Sequence, residues 1–225
     1  MELRLDGTHY PLESLGPGKR LGVWFQGCTL ACAGCMSRHT WDPEAGSRTT
    51  VAEVLALWRR ALADGADGLT VSGGEPLQQA AALAELLAGA ARLRDGARRH
   101  EGTAGPRPAD LLVYTGYEPG ELTPGLRTAL GGADALITGR FRVAEPTPLV
   151  WRGSANQRIV PLTALGTARY TPYLDRESVE PRLQIGPGAD GRLRLYGVPL
   201  RGELLALERR LRQRGVALRE RSWRP

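Results

Sequence analysis

Three cysteines within eight residues constrain this chain more than any other feature of its sequence. Cys28, Cys32 and Cys35 follow the spacing Cys-x3-Cys-x2-Cys, and the chain contains no other cysteine. Thiols grouped this tightly converge on one metal centre, and three thiolates on a cubic [4Fe-4S] cluster leave the fourth iron open to another ligand. An odd, clustered set fits no disulfide framework, which favours a reducing compartment. The spacing therefore predicts a loop that holds a metal.

Length and charge narrow the class of protein. A chain of 225 residues is long enough for one domain with a single core. The first ten residues carry Glu2, Arg4 and Asp6 and no apolar signal-peptide core, and no run approaches the ~18 apolar residues of a membrane span. We therefore expect a cytoplasmic protein with no membrane partner. The net charge is +6, and almost all of the basic residues are arginines. No aromatic residues are interleaved with them, so a nucleic-acid partner is not expected.

Short apolar runs alternate with helical periods along the chain, which predicts an α/β architecture with parallel strands. A Thr50–Glu53 capping box begins one predicted helix, and a Gly-, Pro- and Arg-rich stretch at 94–109 predicts a loop. The predicted strands are 21–25, 68–72, 111–114 and 135–138, the helices begin near 50, 77 and 118, and the last third contains a hairpin of 182–185 and 192–196 with a helix at 202–214. We expect residues 1–160 to form a core and residues 161–225 to extend the same domain.

A second motif, Gly73-Gly74-Glu75, directly follows the predicted strand 68–72. Folds of the α/β class place ligands at the carboxyl ends of parallel strands. The glycines would let the main chain approach a ligand closely, and Glu75 would accept hydrogen bonds from a cationic amine. A Gly-Gly-Glu alone is only a turn, so the interpretation depends on its combination with the cysteines.

Several short motifs together resemble the radical S-adenosylmethionine (SAM) superfamily, and most closely its glycyl-radical-enzyme activases of the anaerobic ribonucleoside-triphosphate reductase branch. They occur in the family's order over about the first 160 residues. The motifs are Gly16-Pro17-Gly18-Lys19-Arg20, Trp24-Phe25-Gln26-Gly27-Cys28, Cys32-Ala33-Gly34-Cys35, Ser72-Gly73-Gly74-Glu75-Pro76-Leu77, Tyr114-Thr115-Gly116-Tyr117 and Gly153-Ser154-Ala155-Asn156-Gln157-Arg158.

The resemblance implies a partial (β/α) barrel with a C-terminal hairpin-plus-helix extension. It also implies a [4Fe-4S] cluster held by the three cysteines, with SAM on the open iron. Further residues implied to contact SAM or substrate are Gly73, Gly74 and Glu75 at the methionyl amino end, Gly34 and Met36 near the adenosyl part, and Ser154 and Asn156 in the last motif. A reduced cluster would cleave SAM to methionine and a 5′-deoxyadenosyl radical. The implied partners are a glycyl-radical enzyme as protein substrate and a flavodoxin or ferredoxin as electron donor.

Two alternatives stay open on sequence alone. One is a small-molecule or peptide-modifying radical SAM enzyme similar to 7-carboxy-7-deazaguanine synthase, which is also compact with a single cluster. The other belongs to a different class: a zinc-stabilised binding module that uses the three cysteines together with His39. The second alternative predicts four ligands around one zinc ion.

Overall fold

The computed structural model describes residues 1–101, 108–179, 183–187 and 192–218, with only the backbone of 97–101. The strands are β1 (Glu2–Leu12), β2 (Arg20–Phe25), β3 (Ser47–Thr50), β4 (Gly68–Gly73), β5 (Asp110–Thr115), β6 (Ala135–Thr138), β7 (Arg158–Pro161), β8 (Leu183–Pro187) and β9 (Leu193–Gly197). The helices are α1 (Val51–Ala63), α2 (Ala80–Glu101), α3 (Pro124–Ala129), α4 (Ala164–Tyr170) and α5 (Glu203–Gln213). No described helix is long and apolar enough to cross a membrane.

Seven strands form one twisted sheet in the order β3-β1-β2-β4-β5-β6-β7. The four central strands, β2, β4, β5 and β6, run parallel, whereas β1, β3 and β7 pair antiparallel at the two sides. All four predicted parallel strands are therefore confirmed, and the fold is the expected α/β partial barrel. The sequence analysis did not identify β1, β3, β7 or α4.

Alternate residues of the central strands face opposite sides of the sheet, as the two-residue period of a strand requires. Val23, Val71 and Val113 belong to the main core cluster, which they share with the buried faces of α1 and α2. Leu112 and Ile137 belong to a second cluster on the other side, which includes Tyr170 of α4. The helices α1 and α2 thus cover the outer face of the sheet. Its inner face is covered by α4 and the C-terminal hairpin.

The helix α1 begins where the capping box predicts. The Thr50 hydroxyl accepts a hydrogen bond from the Glu53 N–H (3.2 Å), and the Glu53 carboxylate accepts one from the Thr50 N–H (2.8 Å). The predicted loop from residue 94 is wrong over 94–101, because α2 continues to Glu101. Arg94 stabilises this last part of the helix by pairing with Asp134 at 2.7 Å. Residues 102–107 of the predicted loop lie outside the described chain.

The amino ends of the parallel strands enclose a buried ion-pair network. The guanidinium of Arg20 donates to both carboxylate oxygens of Asp110 (3.0 and 2.8 Å), and both side chains are fully buried. Arg169 pairs with the same carboxylate at 3.1 Å, and the Tyr170 hydroxyl donates to it. Burial alone would raise the pKa of Asp110, but the charge and hydrogen bonds of Arg20 hold that pKa below its usual value. The network joins α4 to the sheet.

The predicted hairpin and final helix are confirmed as β8, β9 and α5, while residues 188–191 between the two strands lie outside the described residues. The hairpin lies against the inner face of the barrel. Tyr196 stacks on His9 of β1 with ring centroids 4.2 Å apart, and its ring lies 4.8 Å from that of Trp24 in β2. Aromatic contacts of this kind hold the extension on the open side of the sheet.

Candidate functional site

The two sequence motifs meet at the carboxyl ends of neighbouring strands. Phe25, at the end of β2, lies in register with Gly73, at the end of β4. Beyond the register, the Gly74 N–H donates to the Phe25 carbonyl (2.7 Å) and the Glu75 N–H donates to the Gly27 carbonyl (2.9 Å). The cysteine loop and the Gly-Gly-Glu turn are therefore joined by main-chain hydrogen bonds.

Glycine is required at both positions because the two loops approach each other closely. A Cβ atom on Gly73, whose φ is +111°, would lie 2.3 Å from the Phe25 carbonyl oxygen. A Cβ atom on Gly74 would lie 2.2 Å from the Gly27 carbonyl oxygen. Neighbouring main chain therefore occupies the space beside each glycine, whereas the sequence predicted that a ligand would approach there. The predicted contact of these glycines with the methionyl end of SAM stays a prediction.

The cysteine loop is closed at its base by hydrogen bonds from three consecutive residues. The Gly27 N–H donates to the Thr40 carbonyl (2.7 Å) and the Cys28 N–H to the Trp41 carbonyl (3.0 Å). The Gln26 side chain donates to the carbonyls of His39 and Asp42 (3.1 and 2.8 Å). Within the loop, the Cys35 N–H donates to the Cys32 carbonyl (3.1 Å) and Gly34 has a φ of +75°. All three thiols are half-buried.

The thiols are close enough to influence one another electrostatically. Burial raises the pKa of the Cys28 thiol, and negative charge on Glu75 and Cys35 raises that pKa further. Burial also raises the pKa of Cys35, and charge on Cys32 adds to the increase. Like charges that crowd in this way are stabilised by a bound cation, which deprotonates the thiols as it binds. The donor set therefore fits a metal centre.

The position of His39 bears on the choice between a cluster and a single zinc ion. Zinc takes four ligands at one point, whereas a cubane binds each cysteine through a different iron. Within the described chain, no three His, Cys, Asp or Glu side chains are placed to hold one metal ion together. His39 instead contacts Asp6, with Nε2 3.5 Å from the carboxylate. With His39 engaged by Asp6, the donor set is three thiols, and three thiolates suit a [4Fe-4S] cluster with one open iron better than a four-ligand zinc site.

Glu75 is almost completely buried, at 1% exposure, and it connects two loops of the site. One carboxylate oxygen accepts hydrogen bonds from the Leu77 N–H (3.0 Å) and the Thr115 hydroxyl (2.9 Å). The other accepts one from the Gly116 N–H (2.7 Å). Burial raises the pKa of Glu75, although these three donors act in the opposite direction. A carboxylate has about four acceptor positions, and the described residues use three of those of Glu75.

Ser154 and Asn156 bind protein groups. The Ser154 hydroxyl donates to the Asn156 side-chain oxygen (2.7 Å) and accepts from the Arg142 N–H (3.0 Å). The Asn156 amide donates to the Arg140 carbonyl (2.9 Å), and Gln157 donates to the Gly139 carbonyl (2.9 Å). These side chains fix the segment 139–143, which packs against the cysteine loop. Their predicted contact with SAM or substrate stays a prediction.

A cavity of about 530 Å³ lies on the inner side of the sheet, next to the cysteine loop. Three of the predicted site residues line it, namely Gly34, Cys35 and Met36. The others are not among its lining residues: Cys28, Cys32, Gly73, Gly74, Glu75, Ser154 and Asn156. Its walls are mostly apolar and aromatic. They include Trp24 and Tyr114 from the sheet, Phe141 and Val143 from the segment 139–143, Trp151, and a C-terminal stretch from Leu195 to Glu208.

Comparisons with known proteins agree with this site. Residues 14–160 match a family described as a 4Fe-4S single cluster domain. The chain is also 33% identical to the anaerobic ribonucleoside-triphosphate reductase-activating protein of Vibrio cholerae over 159 residues, which are 67% of this chain and 94% of the relative. The corresponding protein of Pasteurella multocida is 36% identical over 162 residues, covering 69% and 96%.

The chain belongs to this 4Fe-4S single-cluster family. It is an enzyme of the radical SAM type, and its cofactors are a [4Fe-4S] cluster and SAM, as the sequence predicts. Among solved structures, the crystal structure of QueE from Escherichia coli matches with a TM-score of 0.41 at 18% identity, over 64% of this chain and 74% of that one.

The sequence analysis missed several residues that build the site. Thr115 and Gly116 hold Glu75, and Phe141 and Val143 lie over the cysteine loop. Thr115 and Gly116 do occur in a motif that resembles the superfamily, so the signal was present without a role attached to it. Phe141 and Val143 carry no motif, and only their packing against Gly34 in the fold identifies them.

Proposed function

We propose that this protein is an activating enzyme that cleaves SAM reductively and places a radical on a glycine of a partner enzyme. The observation that carries the proposal is the meeting of three half-buried thiols with the Gly-Gly-Glu turn at the carboxyl edge of a parallel sheet. Membership of the single-cluster family and similarity to reductase-activating proteins support it. The cluster, when bound, supplies the electron that breaks a carbon–sulfur bond of SAM.

The chain's own residues have three tasks in this scheme. Cys28, Cys32 and Cys35 hold the three protein-ligated irons. Glu75 offers its remaining acceptor position to the amino group of SAM, in a buried setting where a charge-assisted hydrogen bond is strong. Aromatic side chains of the cavity keep water away from the reacting atoms, which protects a radical from side reactions.

The partner is a glycyl-radical enzyme that donates the hydrogen of a glycine Cα. Support comes from the names of the similar proteins, which activate an anaerobic ribonucleoside-triphosphate reductase. A flavodoxin or ferredoxin is the proposed electron donor, and the cytoplasm is the proposed location. Both of these remain predictions from the sequence.

The test uses anaerobically purified protein with its cluster reconstituted. The wild-type enzyme with dithionite and SAM should form 5′-deoxyadenosine and show an electron paramagnetic resonance signal that SAM alters. Cys32→Ala should abolish both, because a cluster ligand is lost. His39→Ala is the matched control from the same loop and should retain iron and activity. Loss of iron from the histidine variant, or zinc without iron in the wild type, would overturn the ligand assignment.

A further inference from the structure

The C-terminal extension supplies one wall of the cavity that contains Cys35. The family match ends at residue 160, yet the segment from Leu195 to Glu208 lines the same cavity as Gly34, Cys35 and Met36. The cysteines therefore lie inside the region that matches the family, whereas this wall of the cavity next to them lies outside that region. A wall facing the site from outside the matched region is placed to contact what the enzyme acts on.

The wall is anchored to the barrel by several independent contacts. Tyr196 stacks between His9 and Trp24, and Val198 packs on the cluster of Leu12 and Leu15. At the outer edge, Arg194 pairs with Asp6 of β1 at 2.8 Å. The Gln184 side chain of β8 donates to the Pro11 carbonyl (2.7 Å). These contacts fix the part of the wall from Leu195 to Val198 on the sheet.

The wall is mainly apolar. Its apolar lining residues are Leu195, Val198, Pro199, Leu200, Leu204 and Leu205. The charged side chains it contributes among the described lining residues are Arg201, which is exposed, and Glu208, which is 5% exposed. A volume of about 530 Å³ lies within the range of pockets that hold small molecules. Part of this volume lies beside Gly34 and Met36, where SAM is predicted, so the rest admits only a short segment of a polypeptide and excludes a folded domain.

The mouth of the cavity is also apolar. Val143, Leu200 and Leu205 line the cavity and are 49%, 45% and 43% exposed. They are three of the nine large hydrophobic side chains that are exposed in the described parts of the chain. Apolar side chains that cluster around an opening mark a binding site, whereas scattered ones carry no such meaning. An apolar path thus leads from the surface to the cysteine loop.

We propose that the segment 195–208 selects the substrate, and that it accepts an uncharged, extended peptide segment in which apolar side chains flank a glycine. The proposal rests on the proposed function, which makes a glycine the hydrogen donor. A polar heterocycle would leave most of its donors and acceptors without side-chain partners on this wall, and each unpaired polar group costs about 1–3 kcal/mol. A peptide bears the same cost for any main-chain N–H or C=O left unpaired, but its apolar flanking side chains bury favourably against this lining, whereas charged flanks would be desolvated without partners.

The chemistry in this cavity is a single hydrogen-atom transfer. The glycine Cα–H bond breaks, a C–H bond forms at the 5′ carbon of deoxyadenosine, and the unpaired electron stays on the glycine Cα. No further oxidant is required, because the 5′-deoxyadenosyl radical of the proposed function is the acceptor. The role of the wall is to hold the peptide so that this Cα faces the site.

The experiment introduces a charge on the wall and asks whether peptide preference follows its sign. Leu205 suits this purpose because it lines the cavity mouth and is already partly exposed, so a charged side chain there is tolerated by the fold. The variants are Leu205→Arg and Leu205→Glu. Ala206→Arg is the matched control, since Ala206 is the exposed neighbour on the same helix and does not line the cavity.

The probes are three synthetic decapeptides with a central dideuterated glycine and apolar, acidic or basic flanking residues. Binding is measured by calorimetry on the reconstituted enzyme with SAM and without reductant. Deuterium transfer into 5′-deoxyadenosine is measured after dithionite is added. The wild type should prefer the apolar peptide. Leu205→Arg should shift the preference about fivefold toward the acidic peptide and Leu205→Glu about fivefold toward the basic one.

The outcomes separate this inference from the proposed function. Equal peptide preferences in the wild type, both Leu205 variants and Ala206→Arg would overturn the wall as a selecting element. Binding of no peptide by a wild type that still forms 5′-deoxyadenosine would overturn the peptide assignment alone. A wild type that forms no 5′-deoxyadenosine would overturn the proposed function, while the calorimetric preferences would still decide the role of the wall.

Discussion

Asp110 at the amino end of the parallel sheet and Glu75 at its carboxyl end are both buried carboxylates, but their charges are stabilised differently. At the amino end, Asp110 is paired with Arg20 and Arg169, and these cations hold its pKa below the usual value. At the carboxyl end, Glu75 accepts three hydrogen bonds but forms no salt bridge within the described chain, and burial raises its pKa. A buried charge without a counterion is costly. The charge of Arg140 lowers the pKa of Glu75 but no described salt bridge joins the two, and this less compensated end is where a positively charged ligand is proposed to bind.

Removal of the counterion at the amino end should have the largest effect on stability. Arg20→Ala leaves the Asp110 carboxylate buried with one arginine fewer, and breaking a buried pair in this way costs about 3–5 kcal/mol. Chemical denaturation should show this loss in the free energy of unfolding. Glu44→Gln is the control, because it removes the surface pair with Arg4 and should cost less than about 1 kcal/mol. Equal losses in the two variants would mean that the network contributes no more than a surface contact.

Neutralising the carboxylate at the other end should affect SAM binding. Glu75→Gln keeps the shape of the side chain but removes the charge that is proposed to hold the SAM amino group. The expected result is about a tenfold weaker affinity for SAM, or about 1.4 kcal/mol, by calorimetry on the reconstituted enzyme. Asp110→Asn should leave that affinity unchanged, because it lies at the opposite edge of the sheet. An unchanged affinity in Glu75→Gln would limit Glu75 to joining the loops after β4 and β5.

A smaller effect should separate ligand contact from loop support in the last motif. Asn156→Ala removes the hydrogen bonds to Ser154 and to the Arg140 carbonyl, which contribute about 0.5–1.5 kcal/mol each. If the side chain only supports the segment 139–143, the free energy of unfolding should fall by about that amount and the affinity for SAM should change less than twofold. A large loss of SAM affinity with unchanged stability would instead restore the predicted ligand contact.

The smallest expected effect is a change in the acid dependence of stability. Because the folded-state pKa of Asp110 is lowered, its stabilising contribution is present above the unfolded-state pKa of about 3.9 and is lost as pH falls through the folded-state pKa. Asp110→Asn should therefore show a shallower decline of stability below about pH 4 than the wild type does. Parallel declines in the two proteins would show that this carboxylate titrates alike in the folded and unfolded states.

The parts of the fold that the sequence predicted are those with strong local signals. The four parallel strands are continuous apolar runs, and the capping box of Thr50 and Glu53 defines the start of α1 by its own hydrogen bonds. The strand β1 was missed although Glu2 to Asp6 alternate charged and apolar residues, because this alternation stops at Asp6 and the pairing partners β2 and β3 are distant in sequence. The helix α2 continues past a glycine-containing stretch because Arg94 pairs with Asp134, which is 40 residues away.

The candidate site likewise contains residues whose role the sequence predicts and residues whose role it does not. Cysteine spacing predicts a metal loop because metal chemistry restricts which residues serve and how they are spaced. Polar residues such as Ser154 and Asn156 carry no comparable restriction, since the same groups bind a ligand or a main-chain carbonyl equally well. The position of the C-terminal hairpin could not be predicted from the sequence either. Its two strands are recognisable locally, but the face they cover is decided by tertiary contacts such as Tyr196 with Trp24. The boundary at residue 160 stays a prediction.

The close approach at Gly73 and Gly74 has a consequence for how the holoenzyme matures. The Gly27 carbonyl fills the space beside Gly74 and accepts the Glu75 N–H, so the base of the cysteine loop takes its shape only when β2 and β4 are already paired. Assembly of the cluster site therefore depends on correct pairing of these two strands.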